Sequence, residues 1–163
     1  MTHTAYIGIG SNLSNPDKNC IEAINKISEH PDINLAAKSP LYQTEPIGHV
    51  EQEWFINAAI KIDTELSPTN LLSTLLNLEL EMGRIRQEKW GPRLIDLDLL
   101  FYDDLILDQE GMTLPHPEIQ NRKFVLVPMN EIAENHRHPA LKKTISTLLQ
   151  ELADDSVVKK YLD

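Results

Sequence analysis

The chain has 163 residues, 41% of them apolar, enough for one sizeable core. Its net charge of −10 argues against a nucleic-acid backbone as partner, because such a partner demands a broad basic face. Cys20 is the single cysteine, so an internal disulfide and a Cys-rich metal knot are excluded. Met1 to Tyr6 lacks a basic segment leading into an apolar run, and no stretch approaches bilayer-spanning length. One domain over residues 1–163 is expected, monomeric and cytoplasmic, with no membrane contact.

In chain order, Thr4 to Ile9 reads as a buried strand ended by Gly10-Ser11-Asn12. Asn15-Pro16 starts a helix to about His30, with Cys20, Ile21, Ala23, Ile24 and Ile27 at helical spacing. A second strand covers Ile33 to Tyr42, and Gln43 to Glu53 reads as an exposed loop. From Trp54 to Thr64 the alternation Trp54, Ile56, Ala58, Ile60, Ile62 predicts one apolar strand face, with Phe55 and Asn57 opposite. Ser67-Pro68 opens a helix whose core stripe is Leu71, Leu75, Leu78 and Met82, stopped by Gly83. A strand from Ile95 to Phe101 puts Ile95, Leu97, Leu99 and Phe101 on one face and Asp96 and Asp98 on the other.

Strand-helix-strand, twice over, predicts an α+β fold. It is a ferredoxin-like split βαβ sandwich with a mainly antiparallel sheet, helices on one face and additional C-terminal elements. Among those elements, Leu105 to Leu107 and Phe124 to Val127 read as short strands. Leu141, Ile145, Leu148, Leu149 and Leu152 read as a helix, and Asp154 to Asp163 as a polar tail.

One window stands out chemically. Arg84, Arg86, Lys89 and Arg93 fall within ten positions of an otherwise acidic chain, just before Asp96 and Asp98. Two residues apart on a strand, the two carboxylates project about 7 Å apart on one face, near enough to share bound cations. A bare acid pair is ordinarily a solvated sheet face. With four cations upstream, it makes instead a site where the acids hold Mg2+ against a polyphosphate whose remaining charge the cations meet. Trp90 at the tip of a Gly91-Pro92 turn suits a lid, and Glu79, one turn before the helix end, is placed to orient an arginine or a water.

Phe55 followed by Asn57 reads equally well as packing or as a stacking ring and amide for a flat heterocycle. His116 between two prolines is either a turn residue or a ligand contact, Arg122 is a candidate phosphate partner, and spacing alone decides neither. Gly8-Ile9-Gly10-Ser11-Asn12-Leu13 lacks the third glycine of a dinucleotide loop. His136 and His138 lack the Cys or acid partners of a metal site, and Cys20 sits on a core stripe.

In combination, YIGIGSNL at Tyr6 to Leu13, YQTEPIG at Tyr42 to Gly48, FINAA at Phe55 to Ala59, GRIRQEKWGPRLIDLDLL at Gly83 to Leu100 and LPHPEIQNRKF at Leu114 to Phe124 resemble the 6-hydroxymethyl-7,8-dihydropterin pyrophosphokinases of folate biosynthesis. The resemblance implies transfer of pyrophosphate from ATP to the pterin hydroxymethyl oxygen, with AMP leaving. It implies two Mg2+ ions with ATP on Asp96 and Asp98, and Arg84 and Arg93 as catalytic groups stabilising the transferred phosphates. Glu79, Arg86, Leu99, Met112, Thr113, His116 and Arg122 would serve ATP. Thr44, Ile47, Phe55, Asn57, Trp90 and Phe124 would serve the pterin, with Phe55 and Phe124 on its two faces. Two departures stand in the basic window: Lys89 replaces an expected arginine and loses its bidentate fork, and Leu94 replaces a frequent threonine. A metal-dependent phosphohydrolase and a nucleotide-sensing regulatory module are the competing readings.

Overall fold

The computed structural model describes residues 2–45, 54–83 and 94–161. β1 (His3–Ser11) is the spine of a six-stranded sheet, flanked by β4 (Phe55–Thr64) and β5 (Asp96–Tyr102), both antiparallel to it. Beyond β4 the ladder continues through β3 (Tyr42–Thr44) to β8 (Val158–Lys160), while β2 (Ile33–Lys38) pairs with the other half of β4. β5 is therefore one edge, and β8 and β2 lie along the other. A two-stranded hairpin of β6 (Leu107–Gln109) and β7 (Met112–Leu114) lies off the sheet. The α+β, mainly antiparallel architecture expected from the element order is present.

α1 (Pro16–Ser28) and α2 (Pro68–Glu81) cover one sheet face. Pro16 and Pro68 sit in the first turns, where the missing N–H is harmless. Ser67 caps α2 by accepting from the Asn70 N–H, a contact of about 1 kcal/mol. Leu71 and Leu75 are fully buried and Leu78 and Met82 pack at the margin, as the stripe required. Gly83, at φ 88°, takes the left-handed conformation that ends the helix. Cys20 is buried in the same core, its thiol pushed up to about 12 by burial and then by nearby Asp17.

Five expectations need correction. The helices do not lie on one face: α3 (Lys123–Ala133) and α4 (Ile145–Glu151) pack over the other, around Tyr6, Ala59, Leu100 and Phe101. Both faces of β4 are buried, so its alternation reports only the more apolar one.

Phe124 to Val127 is the start of α3, not a strand. Val125, Leu126, Met129, Ile132 and Ala133 recur at helical spacing, and packing of that stripe overrides the β-branched preference of Val125 and Val127.

Phe101 does not share a face with Leu99. The pairing slips between Tyr6 and Ile7, leaving Leu100 as an extra residue. The resulting bulge turns Leu100 and Phe101 together into the second core. Trp54, expected on the apolar face, is 37% exposed just outside β4.

The C-terminal segment is not a free polar tail, since β8 extends the sheet there. Smaller differences follow: the strand expected over 33–42 is broken at Ser39-Pro40 into β2 and β3, and the Leu105 to Leu107 strand is the β6–β7 hairpin instead. Leu141 precedes α4, whose N-cap is Thr144. Among the described residues no helix is long and apolar enough to cross a membrane.

Candidate active site

The strand register brings the two halves of the site onto one face. Asp96 pairs with Gly10, Gly10 with Asn57, and Asn57 with Tyr42, making one row across β5, β1, β4 and β3. Cross-strand partners project to the same side. Phe55 shares that side, two residues from Asn57, and pairs with Thr44. Asp98, opposite Gly8, continues it along β5. The same face, further along, carries Ala59, Tyr6 and Leu100 under α3. The site is thus the end of the sheet that α3 leaves open, with Phe124 in the first turn of that helix at its rim.

Gly10 matters here. A Cβ at this position would stand 2.8 Å from Nδ2 of Asn57, so the amide lies across the space a side chain would take. The sequence signal was present and unused: Gly8 and Gly10 alternate in a strand, which marks a close approach on one face.

Thr44 and Asn57 are buried, and neither Thr44 Oγ1 nor Asn57 Oδ1 has a hydrogen-bond partner among the described residues. Buried oxygens without partners cost about 1–3 kcal/mol each, a cost that a ligand's N–H groups would relieve. Both are acceptors, and both sit next to Phe55.

At the Asp96 end of the row, a cavity of about 380 Å³ opens beside the edge strand. Its walls include Glu79, Asp96, Asp98, Leu99, Met112, Thr113 and His116, so seven sequence-derived site residues meet in one space. The β6–β7 hairpin supplies Met112 and Thr113, and Pro115, on a cis peptide bond, leads the chain to His116. A larger cleft of about 610 Å³ lies by the start of α1, but its lining holds one carboxylate, Asp17, and no pair.

Glu79 is 4% exposed, and its Oε2 accepts from the Leu97 N–H at 2.7 Å. It therefore braces the edge strand between the two aspartates, a structural duty that sequence spacing did not reveal. His116 is anchored by its backbone N–H to the Leu100 carbonyl. Its Nδ1 accepts from the Glu118 N–H at 3.1 Å, which puts the ring proton of the neutral form on Nε2. Burial holds its pKa below the ordinary histidine value; the charges of Asp98 and Glu118 oppose that and the charge of Arg122 adds to it. The Arg122 guanidinium carbon lies 5.7 Å from the Phe124 ring centroid, tying the basic group to the aromatic rim.

Arg84, Arg86, Lys89, Trp90, Arg93 and Ile47 lie outside the described residues. Leu94 is described: its carbonyl accepts from Asn19 Nδ2 at 3.4 Å.

Residues 6–134 match the family model of 7,8-dihydro-6-hydroxymethylpterin-pyrophosphokinase. The chain belongs to this family. The 2-amino-4-hydroxy-6-hydroxymethyldihydropteridine pyrophosphokinase of Haemophilus influenzae is 40% identical over 156 residues, covering 96% of this chain and 97% of that protein. That of Methylorubrum extorquens is 43% identical over 129 residues, 79% of this chain and 82% of its own. The bifunctional protein FolKE of Lactococcus lactis is 37% identical over 159 residues, which are 96% of this chain and 46% of that protein. Among solved structures, wild-type HPPK-DHPS of Plasmodium falciparum with pteroate matches with a TM-score of 0.74 at 16% identity, a likeness of fold. This chain spans 42% of that one. The row from Asp96 to Asn57 joins the acid pair to the buried amide on one sheet face.

Proposed function

We propose that this chain transfers pyrophosphate from ATP to the hydroxymethyl group of 6-hydroxymethyl-7,8-dihydropterin, releasing AMP, as its family name describes. The observation that carries the reading is the Asp96–Gly10–Asn57 row, which sets an acid pair and two unpartnered buried oxygens on one open sheet face.

Asn57 Oδ1 and Thr44 Oγ1 accept from the pterin's amino and ring N–H groups, and Phe55 and Phe124 stack on its two faces. ATP occupies the 380 Å³ cavity, with Leu99, Met112 and Thr113 bordering the adenine. His116 donates from Nε2 to a phosphate oxygen, and Arg86 and Arg122 meet further phosphate charge.

Asp96 and Asp98 suit Mg2+, since this ion takes one or two carboxylates together with substrate phosphates rather than an all-protein cage. Two such ions, when bound, supply charge neutralisation over the triphosphate.

The pterin oxygen forms a bond to the β-phosphorus. The bond from that phosphorus to the oxygen bridging to the α-phosphate breaks, AMP departs with the electron pair, and the hydroxyl proton passes to Asp96 or solvent. Arg84 and Arg93 meet the charge of the transferred group, and Trp90 and Ile47 serve the pterin.

The test is incubation with ATP and Mg2+ with and without the pterin. AMP release that depends on the pterin supports the reading; ADP formation, or inorganic phosphate released without pterin, refutes it in favour of a phosphohydrolase.

A further inference from the structure

The pterin slot is built on β3, which on its own would be a three-residue edge strand. β8 removes that edge. Thr44 sits between Phe55 of β4 and Val158 of β8, so it is an interior sheet residue only because the C-terminal segment pairs there.

The same segment grips both stems of the 46–53 stretch. On one side the Glu45 N–H donates to the Val157 carbonyl at 3.2 Å, and Glu45 Oε1 accepts from the Val157 N–H at 2.9 Å. On the other, Lys159 Nζ lies 5.6 Å from the Trp54 ring centroid, directly before Phe55.

Two further ties reach α3. Lys123 Nζ, adjacent to Phe124, donates to the Ser156 carbonyl at 2.8 Å. Glu131 Oε1 accepts from the Tyr42 hydroxyl at 3.0 Å and pairs with Lys160 Nζ at 3.3 Å. Tyr42 is the cross-strand partner of Asn57. Residues 156–160 thus hold a neighbour of each described pterin-side group, yet lie beyond residues 6–134 that the family model matches.

We infer that the C-terminal strand β8 is a positioning strap for the pterin slot, fixing Thr44, Phe55 and Phe124 relative to one another without touching substrate. This rests on the pterin reading above. ATP is held at the opposite edge of the sheet, so the strap acts on one substrate only.

Lys159→Pro removes an N–H from the middle of the three-residue pairing, and Lys159→Ala keeps the strand but loses the contact with Trp54. The expected result for Lys159→Pro is a pterin KM raised about tenfold with the ATP KM unchanged, the scale of a misplaced binding group. For Lys159→Ala a rise of about threefold is expected, the fold-change of a weak cation–π contact, and this variant decides should the proline variant not fold. KM values for pterin and ATP that rise together, or a pterin KM that stays at the wild-type value, overturn the strap. Direct pterin binding by the wild-type chain is the control: no binding there overturns the pterin reading and the strap with it, whereas normal wild-type binding with unshifted variants overturns the strap alone.

Discussion

The side-chain amide of Asn57 occupies the space that a Cβ on Gly10 would need, at 2.8 Å. The uncharged pair Gly10 and Asn57 thereby connects the acid pair of β5 with Phe55 and Thr44 on the same sheet face. The clash would be with the tip of a side chain rather than with backbone, so relief is cheap for the fold and costly for the site. Gly10→Ala is expected to lower stability by under about 1 kcal/mol while raising the pterin KM about tenfold and sparing the ATP KM. Thermal unfolding and steady-state kinetics on one preparation check both halves.

Asp98 is expected to be needed for turnover and not for folding. It is half-buried at the rim of the cavity, so Asp98→Ala leaves no cavity in the core. The rate of AMP release should fall by about a thousandfold or more, as loss of several kcal/mol of charge stabilisation requires, with an unfolding midpoint near that of the wild type. Retained Mg2+-dependent ATP binding in both Asp96→Ala and Asp98→Ala would favour a nucleotide-sensing module.

Phe124 is expected to separate the two substrates energetically. Phe124→Ala should weaken pterin binding by about 1–3 kcal/mol and leave ATP binding as it was, measurable by calorimetric titration of each ligand. Equal losses for both would contradict the stacking role.

Away from the site, His136 and His138 make stability depend on pH. His136 lies against Tyr6 and Phe101, with ring centroids 4.8 and 4.4 Å away, and its buried Nε2 has no partner. His138 Nδ1 accepts from the Ala140 and Leu141 N–H groups, so protonation there breaks two hydrogen bonds. Burial lowers both pKa values below 6.5, with the charges of His138 and Lys61 adding to the effect at His136. A lowered histidine pKa means the unfolded chain binds more protons, so stability is fully present above pH 6.5 and falls as the pH drops toward the folded-state values. Denaturant midpoints measured from pH 8 down to pH 5 should decline over that interval, and His138→Asn should flatten the decline.

The sequence made legible what depends on local spacing. Asp96 and Asp98 on one strand face, Phe55 and Asn57 opposite the Ile56–Ile62 stripe, and the capped α2 ahead of Gly83 all follow from periods of 2 and 3.6. What stayed hidden depends on partners distant in sequence. Phe101 changes face because of a slip in its pairing with β1, Phe124 turns helical because a stripe reaching to Ala133 packs on the sheet, and β8 exists because β3 offers it an edge. From spacing Glu79 is a group that orients an arginine or a water, and its acceptance from the Leu97 N–H depends on a strand 18 residues away.

The central claim is that two phosphoryl groups move together onto a pterin. ATP labelled separately at the β- and γ-phosphorus, incubated with the protein, Mg2+ and 6-hydroxymethyl-7,8-dihydropterin, tests it most directly. Both labels should appear in the pterin product in equal amounts, with unlabelled AMP matching them one for one. Transfer of the γ label alone, or either label released as inorganic phosphate without pterin, would contradict the account.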